Sequence, residues 1–396
     1  MSRKDRMSGN QAAATAIRQI NPDVIAAFPI TPSTEIPQYV SSFKADGLID
    51  TEFIAVESEH SAMSACIGAS AAGVRAMTAT SSAGMALMYE MLYVAASDRL
   101  PIVLTAVNRA LTGPININAD HSDSMGARDS GWIQLYSENA QEAYDNLLMA
   151  NRIGERRDVM LPVMVCQDGF ITSHGIENII IEDDGEVKNF VGEYHPEKYL
   201  LNPDESLAVG PYSVSPYVIE MKRAVHEAMV NARDAVKEVS EDFERTFGRE
   251  YGFFEEYHMD DAEYGVLLMS SAAGTGKDAV DALRGEGVKA GLVKLRMFRP
   301  FPADELADAL AGLKALAIMD RSDGFSATGG PLNAEVRAAL YGRACAGLRV
   351  PKAAGYIYGL GGRDVRVEDF HTIFGELEEL AVGKELPYCR YLGVRE

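Results

Sequence analysis

The sequence predicts an α/β protein in which a doubly wound parallel sheet is followed by a second α/β domain. Three observations predict it. Short apolar strands alternate with small-residue helices over residues 8–175, as parallel strands with crossover helices require. A long amphipathic run then interrupts the alternation, which starts again at Gly265. A chain of 396 residues is also too long for one ordinary core.

In chain order, Gly9–Gln19 reads as a helix and Val24–Ala27 as a strand that ends in Phe28-Pro29-Ile30-Thr31-Pro32. The two prolines stop the strand, and Pro32 with Ser33 and Thr34 opens the next helix. Phe53–Val56 is the next strand and leads into Glu59 and a helix crowded with Gly, Ala, Ser and Cys. Arg75–Thr80 is a third strand, followed by Ser81-Ser82-Ala83-Gly84 and another helix, and Ile102–Val107 and Val163–Val165 follow. In such sheets ligands sit beyond the C-terminal strand ends, so Thr31, Glu59, Ser81–Gly84 and Asn108-Arg109 should converge.

Residues 176–216 are polar and hold Pro196, Pro203, Pro211 and Pro216, which predicts an irregular surface excursion. Val218, Met221, Val225, Met229, Ala232, Val236, Val239, Phe243 and Phe247 then keep three-and-four spacing, predicting a helix that straps the domains together. The acidic stretch Glu255–Asp261 marks a boundary. Beyond it come strand Gly265–Met269, a turn at Gly274-Thr275-Gly276, helix Lys277–Arg284, and strands Gly291–Leu295 and Ala315–Met319. The predicted division is 1–258, with the extension and strap helix at about 176–250, and 259–396.

Composition narrows the function. A net charge of −21 argues against nucleic acid, which needs a cationic footprint. No apolar run reaches membrane-spanning length, and Met1–Arg6 has no hydrophobic segment behind it. Cys66, Cys166, Cys345 and Cys389 are far apart and form no C-x-x-C, which predicts a cytoplasmic chain with no metal ligands of its own.

Several motifs carry less than they first suggest. Gly274-Thr275-Gly276-Lys277-Asp278 resembles a P-loop tail, but Ser271 replaces the first glycine and Asp278 the magnesium-binding hydroxyl, so an NTPase is excluded. Asp120-His121-Ser122-Asp123 reads as a polar loop ordered by its own side chains. Tyr358-Gly359-Leu360-Gly361-Gly362-Arg363-Asp364 lacks a βαβ context and reads as a structural turn. Arg109 has the chemistry to clamp a carboxylate bidentately, and Thr31 the chemistry to donate a hydrogen bond to it.

Taken in order, Phe28–Ser33, Val56–Ala62, Thr78–Ser82, Asn108–Leu111, Asp120–Asp123 and Tyr358–Asp364 resemble the alpha subunits of pyruvate:ferredoxin oxidoreductases, within the 2-oxoacid:ferredoxin oxidoreductase family. The second domain, through Val293–Pro302, resembles the C-terminal domain of transketolase-like enzymes. The resemblance implies thiamine diphosphate chemistry with a pyrimidine-side domain. Glu59 would hydrogen-bond the aminopyrimidine and favour the tautomer that deprotonates the thiazolium carbon. Ser81, Ser82 and Gly84 would line the cofactor, and Arg109 and Thr31 would hold the substrate carboxylate. His60 receives no catalytic role.

A Gly-Asp-Gly motif is absent, as are cysteine sets for clusters. The resemblance therefore implies a beta subunit bringing the diphosphate, Mg2+ and a [4Fe-4S] cluster, with gamma and ferredoxin-like delta subunits. Coenzyme A would accept the acyl group and ferredoxin the electrons. Alternatives are another 2-oxoacid (oxalate, phenylglyoxylate or a branched-chain acid), for which Phe28 and Tyr136 are candidate pocket walls, and a non-catalytic scaffold.

Overall fold

Residues 2–210 and 212–395 are described in a computed structural model. Met1 of the N-terminal segment and Pro211 of the predicted excursion lie outside them. The strands are β1 (Arg3–Ser8), β2 (Val24–Ala27), β3 (Glu52–Ala55), β4 (Ala76–Thr80), β5 (Val103–Asn108), β6 (Ile133–Ser137), β7 (Val163–Asp168), β8 (Ile176–Ile181), β9 (Phe254–Tyr257), β10 (Tyr264–Met269), β11 (Ala290–Leu295), β12 (Met297–Arg299), β13 (Ala315–Asp320), β14 (Lys352–Ile357) and β15 (Cys389–Tyr391).

Seven of them form the first sheet, in the order β12-β6-β7-β5-β4-β2-β3. Every neighbour pair is parallel except β12 on β6. Strands β4 to β7 are buried along their whole length, as a parallel sheet covered on both faces demands. Register keeps the C-terminal ends level: Ala27 pairs with Ala55, Thr80 with Ala106, and Asn108 with Asp168. Strand order reverses between β2 and β4, the switch point where an open α/β sheet forms a ligand crevice.

The second sheet runs β15-β14-β13-β10-β11-β9 and is parallel apart from β9. Its own switch point lies between β10 and β13. There Ser271 and Arg321, just beyond those strands, reach Asp168 at the end of β7. One apolar cluster spans both sheets, joining Tyr136 and Met164 to Leu267, Val293, Leu295 and Phe298. No helix among the described residues is long and apolar enough to cross a membrane.

Three local expectations need correction. The stretch after residue 176 is not irregular throughout: Ile176–Ile181 is a strand paired antiparallel with Arg3–Ser8, and Asp184–Val191 is a helix. That pairing joins segments too far apart in the chain for local pattern to reveal. Gly274–Gly276 is no turn but the first part of helix Ala272–Gly285. Gly276 is there because a Cβ would stand 2.6 Å from Leu292 Cδ1 and 3.2 Å from the Phe370 ring. The acidic stretch at Glu255 begins inside β9, which pairs with β11. The strap helix is present at Val218–Phe247, buried along its C-terminal half.

Candidate active site

Glu59 opens the helix Glu59–Ala72, capped by Ser58 in extended conformation, whose hydroxyl accepts the Ser61 N–H at 3.2 Å. Glu59, Ala62, Met63, Cys66, Ile67, Ser70 and Ala71 form the buried stripe, at the spacing that faces one side of a helix. Packing that stripe carries Glu59 inside, where it is 3% exposed. Its carboxylate lies in the first turn, near the positive end of the helix dipole. Across from it, helix Ser82–Leu87 brings Gly84, where a Cβ would stand 2.7 Å from Glu59 Oε1 and 2.3 Å from Thr80 Oγ1.

No hydrogen bond among the described residues reaches the Glu59 carboxylate, which lies at the edge of the buried region, and beside it the sealed hydroxyls of Thr80 and Ser81 lack partners. A ligand that displaces the last water from a carboxylate must supply a donor in its place, or the exchange costs several kcal/mol. This pocket edge suits a ligand that brings its own N–H groups. The aminopyrimidine of thiamine diphosphate meets that requirement.

A second group is built around Asp123, fully buried beyond the end of β5. One carboxylate oxygen accepts the backbone N–H groups of Ser82 (2.9 Å) and Arg109 (3.0 Å). The other accepts Asn108 Nδ2 (2.9 Å) and Ser124 N (2.7 Å). Burial pushes the Asp123 carboxyl up to about 6, against the pull of these four donors. Ser82 sits at φ 42°, and its hydroxyl donates to Ala110 O at 2.5 Å. Asp123 thus fixes the Ser81–Gly84 segment to the base of Arg109.

Arg109 is 7% exposed. Its Nη1 donates to Thr31 O at 2.9 Å and its Nε to Asn116 O at 3.0 Å. Nη2 has no partner among the described residues, leaving one arm of the guanidinium fork for an anion. Thr31 is itself exposed, and the contact it makes here is through its carbonyl.

The structure therefore joins Arg109 to Thr31, Ser82 to Arg109 through Asp123, and Gly84 to Glu59. No hydrogen bond or ion pair among the described residues links Glu59 to Arg109 or Thr31. Tyr136 is not a pocket wall: it is buried in the core between His121 and Phe298, and its hydroxyl bonds Ser124 at 2.8 Å. Asn108 does join this group, and the residues missed by sequence reasoning are Asn116 and Asp123. The Asp120–Asp123 loop does order itself, since Asp120 Oδ1 accepts Ser122 N at 2.8 Å. Its His121 and Asp123, however, turn inward to strand ends, and their proximity to those ends has no local signal.

Residues 15–241 match the family described as pyruvate flavodoxin/ferredoxin oxidoreductase, thiamine diphosphate-binding, and residues 262–370 match pyruvate:ferredoxin oxidoreductase core domain II. The chain is 50% identical to pyruvate synthase subunit PorA of Thermotoga maritima, over 98% of each chain. It is 43% identical to the PorA subunit of Methanocaldococcus jannaschii, over 94% of each. Against ketoisovalerate oxidoreductase subunit VorA of Pyrococcus horikoshii it is 41% identical, covering 97% of this chain and 96% of that one. Among solved structures, 2-oxoglutarate:ferredoxin oxidoreductase from Magnetococcus marinus superposes with a TM-score of 0.71 at 22% identity. That match covers 96% of this chain and 65% of the larger one. A split-gene transketolase superposes at 0.53 and 12% identity over 95% of this chain, a likeness of fold. By these matches the chain belongs to the pyruvate flavodoxin/ferredoxin oxidoreductase family.

Proposed function

We propose that this chain is the alpha subunit of a pyruvate:ferredoxin oxidoreductase, which converts pyruvate and coenzyme A to acetyl-CoA and CO2 and passes the electrons to ferredoxin. The observation that carries the reading is Glu59: a buried carboxylate with no protein donor, at a helix N-terminus, facing a glycine where any side chain would collide with it. The chain through the strap helix, joined in its sheet by β12, would form the pyrimidine-side unit, and β9 onward would form the transketolase-like one.

Glu59, with Ser81, Ser82 and Gly84 around it, would hold the aminopyrimidine edge of thiamine diphosphate. When bound, that cofactor supplies the electron sink for decarboxylation of a 2-oxoacid. Glu59 accepts a hydrogen bond from the ring and, with its negative charge, favours a proton on the ring nitrogen. Gly84 keeps that approach open. Arg109 pairs with the substrate carboxylate through the free arm of its fork, and Thr31 fixes the other arm through its carbonyl and offers its hydroxyl to the same carboxylate.

The diphosphate, Mg2+ and a [4Fe-4S] cluster would come from a beta subunit, with gamma and delta subunits completing a cytoplasmic assembly. The PorA relatives favour pyruvate over branched-chain acids, the high identity to VorA notwithstanding. The test is Glu59→Gln in the purified enzyme, following pyruvate- and coenzyme A-dependent viologen reduction. Turnover should fall about 10²-fold or more. Unchanged turnover would leave the chain a scaffold, and a preference for 2-ketoisovalerate in the wild-type enzyme would overturn the assignment of pyruvate.

A further inference from the structure

Arg109 is held on one side by Thr31 and on the other by the loop that follows it, whose base is closed by Ala110 N on Asn118 O at 3.2 Å and Leu111 N on Ser122 Oγ at 2.9 Å. Leu111, Thr112, Gly113, Pro114, Ile115 and Ile117 are all exposed, and only Asn116 and Asn118 in the 111–118 stretch are half-buried. Those two asparagines face the glycine-rich turn of the second sheet. Asn116 Nδ2 donates to Gly361 O at 3.3 Å. Its Oδ1 accepts from Asn118 N at 2.7 Å and from Asn118 Nδ2 at 3.2 Å. One residue on, Gly362 N donates to Ala119 O at 2.7 Å.

The turn is shaped for this contact. Gly361 and Gly362 lie at φ 62° and 77°, in the left-handed region that glycine adopts without strain. A Cβ on Gly361 would stand 2.7 Å from Asn116 Nδ2, and one on Gly362 would stand 2.4 Å from Asn118 Cβ. Both glycines therefore allow the second sheet to touch the loop at the two residues that anchor it. The carbonyl that receives Arg109 Nε belongs to Asn116, whose side chain makes the tether.

We propose that Asn116, locked to the Gly361–Gly362 turn, is a positioning residue that sets the guanidinium of Arg109 for a 2-oxoacid carboxylate. The second sheet thereby tunes substrate affinity from outside the crevice. The proposal rests on the reading of Arg109 given above. Asn116 also lines a surface cavity of about 580 Å³ with Arg363 and Arg366, so truncating it leaves no buried void.

The test uses the whole enzyme and two readouts: KM and kcat for pyruvate, and equilibrium binding of oxamate, an unreactive pyruvate mimic, by calorimetry. Asn116→Ala should raise both the pyruvate KM and the oxamate Kd about 10-fold, the scale of one hydrogen bond. Its kcat should stay within about 2-fold and its melting temperature unchanged, because the site is half-exposed. Gly361→Ala should reproduce the rise in KM. Arg109→Ala should raise both constants roughly 10²-fold or more, and adding Asn116→Ala to it should change neither further. If Arg109→Ala weakens binding but Asn116→Ala does not, or if the two penalties add in full, Asn116 does not act through Arg109 and the proposal fails. If Arg109→Ala leaves KM and Kd unaltered, the clamp reading itself fails.

Discussion

Gly84 is where steric space decides chemistry at the scale of a single residue. An added methyl would meet Thr80 Oγ1 at 2.3 Å and the Glu59 side chain at 2.7 Å, so one of the two must move. Thr80 belongs to the central strand β4 and is fully buried, which leaves Glu59 to yield. On the role proposed for Glu59, Gly84→Ala should lower turnover by roughly 10²-fold, the expected cost of shifting a catalytic group by about 1 Å. Thr80→Ala, which removes only the other obstacle, should leave turnover within a few-fold. Viologen-coupled assays of both variants check this, and equal losses would show that Gly84 serves packing alone. The place of Glu59, beyond a strand end and at the head of a small-residue helix, was legible in the sequence. Asp123 was not, because three of its four donors, Ser82, Asn108 and Arg109, stand 41, 15 and 14 residues away from it in the chain.

Elements were legible where one local force dominated. The runs Val24–Ala27, Val103–Asn108 and Ala315–Asp320 are short, apolar and buried, and burial alone specifies them. Strand β6 reads Ile-Gln-Leu-Tyr-Ser, and its buried Gln134, bonded to Ser124 O at 2.9 Å, disguises it. Helix Pro331–Cys345 adds a case in which burial and capping compete. Asp320 at the end of β13 accepts Leu332 N at 2.7 Å and Asn333 N at 2.9 Å, capping the helix from another element. Burial nevertheless outweighs the two donors and pushes its carboxyl up to about 7. The folded chain thus holds this proton more tightly than the unfolded chain, whose aspartates titrate near about 3.9. The resulting stabilisation is full below about pH 4 and is lost as pH rises through about 7. Asp320→Asn cannot titrate there. The melting temperature of the wild type relative to this variant should fall steadily between about pH 5 and about pH 8, and a constant offset would show that Asp320 does not change charge in that window.

Over the whole molecule, the two sheets are joined by buried charge as well as by apolar packing. Lys294 on β11 pairs with Glu138 at 2.7 Å, Glu255 at 2.8 Å and Glu142, and Lys277 pairs with Glu138 and Glu255, each at 2.9 Å. The two ammonium groups supply the positive charge on which these three carboxylates converge. Asp168 is the more demanding joint, because it ends β7 of one sheet inside the switch-point crevice of the other. It accepts Arg321 Nη1 at 2.6 Å, Ser271 Oγ at 2.5 Å and Ser271 N at 3.1 Å, and bonds His121 Nε2 at 2.8 Å. Burial alone would raise its carboxyl, but Arg321, His121 and Ser271 outweigh burial and hold it well below the usual range. The crevice in which a doubly wound sheet ordinarily takes a ligand is thus filled, in the second sheet, by a residue of the first. Asp168→Asn would leave Arg321 buried without its counter-charge, while Arg321 stays pinned over the Tyr358 ring at 5.2 Å. Removing one partner of a buried ion pair costs about 3–5 kcal/mol, so denaturant unfolding should show a loss of that size. Because the folded carboxyl binds its proton more weakly than the unfolded one, its stabilisation is present above about pH 4 and is lost as pH falls further. The wild type's advantage over Asp168→Asn should shrink in that acid range. A loss under about 1 kcal/mol at neutral pH would mean that the shared cluster of Tyr136, Met164, Leu267, Val293 and Phe298 holds the sheets together without the charged joint.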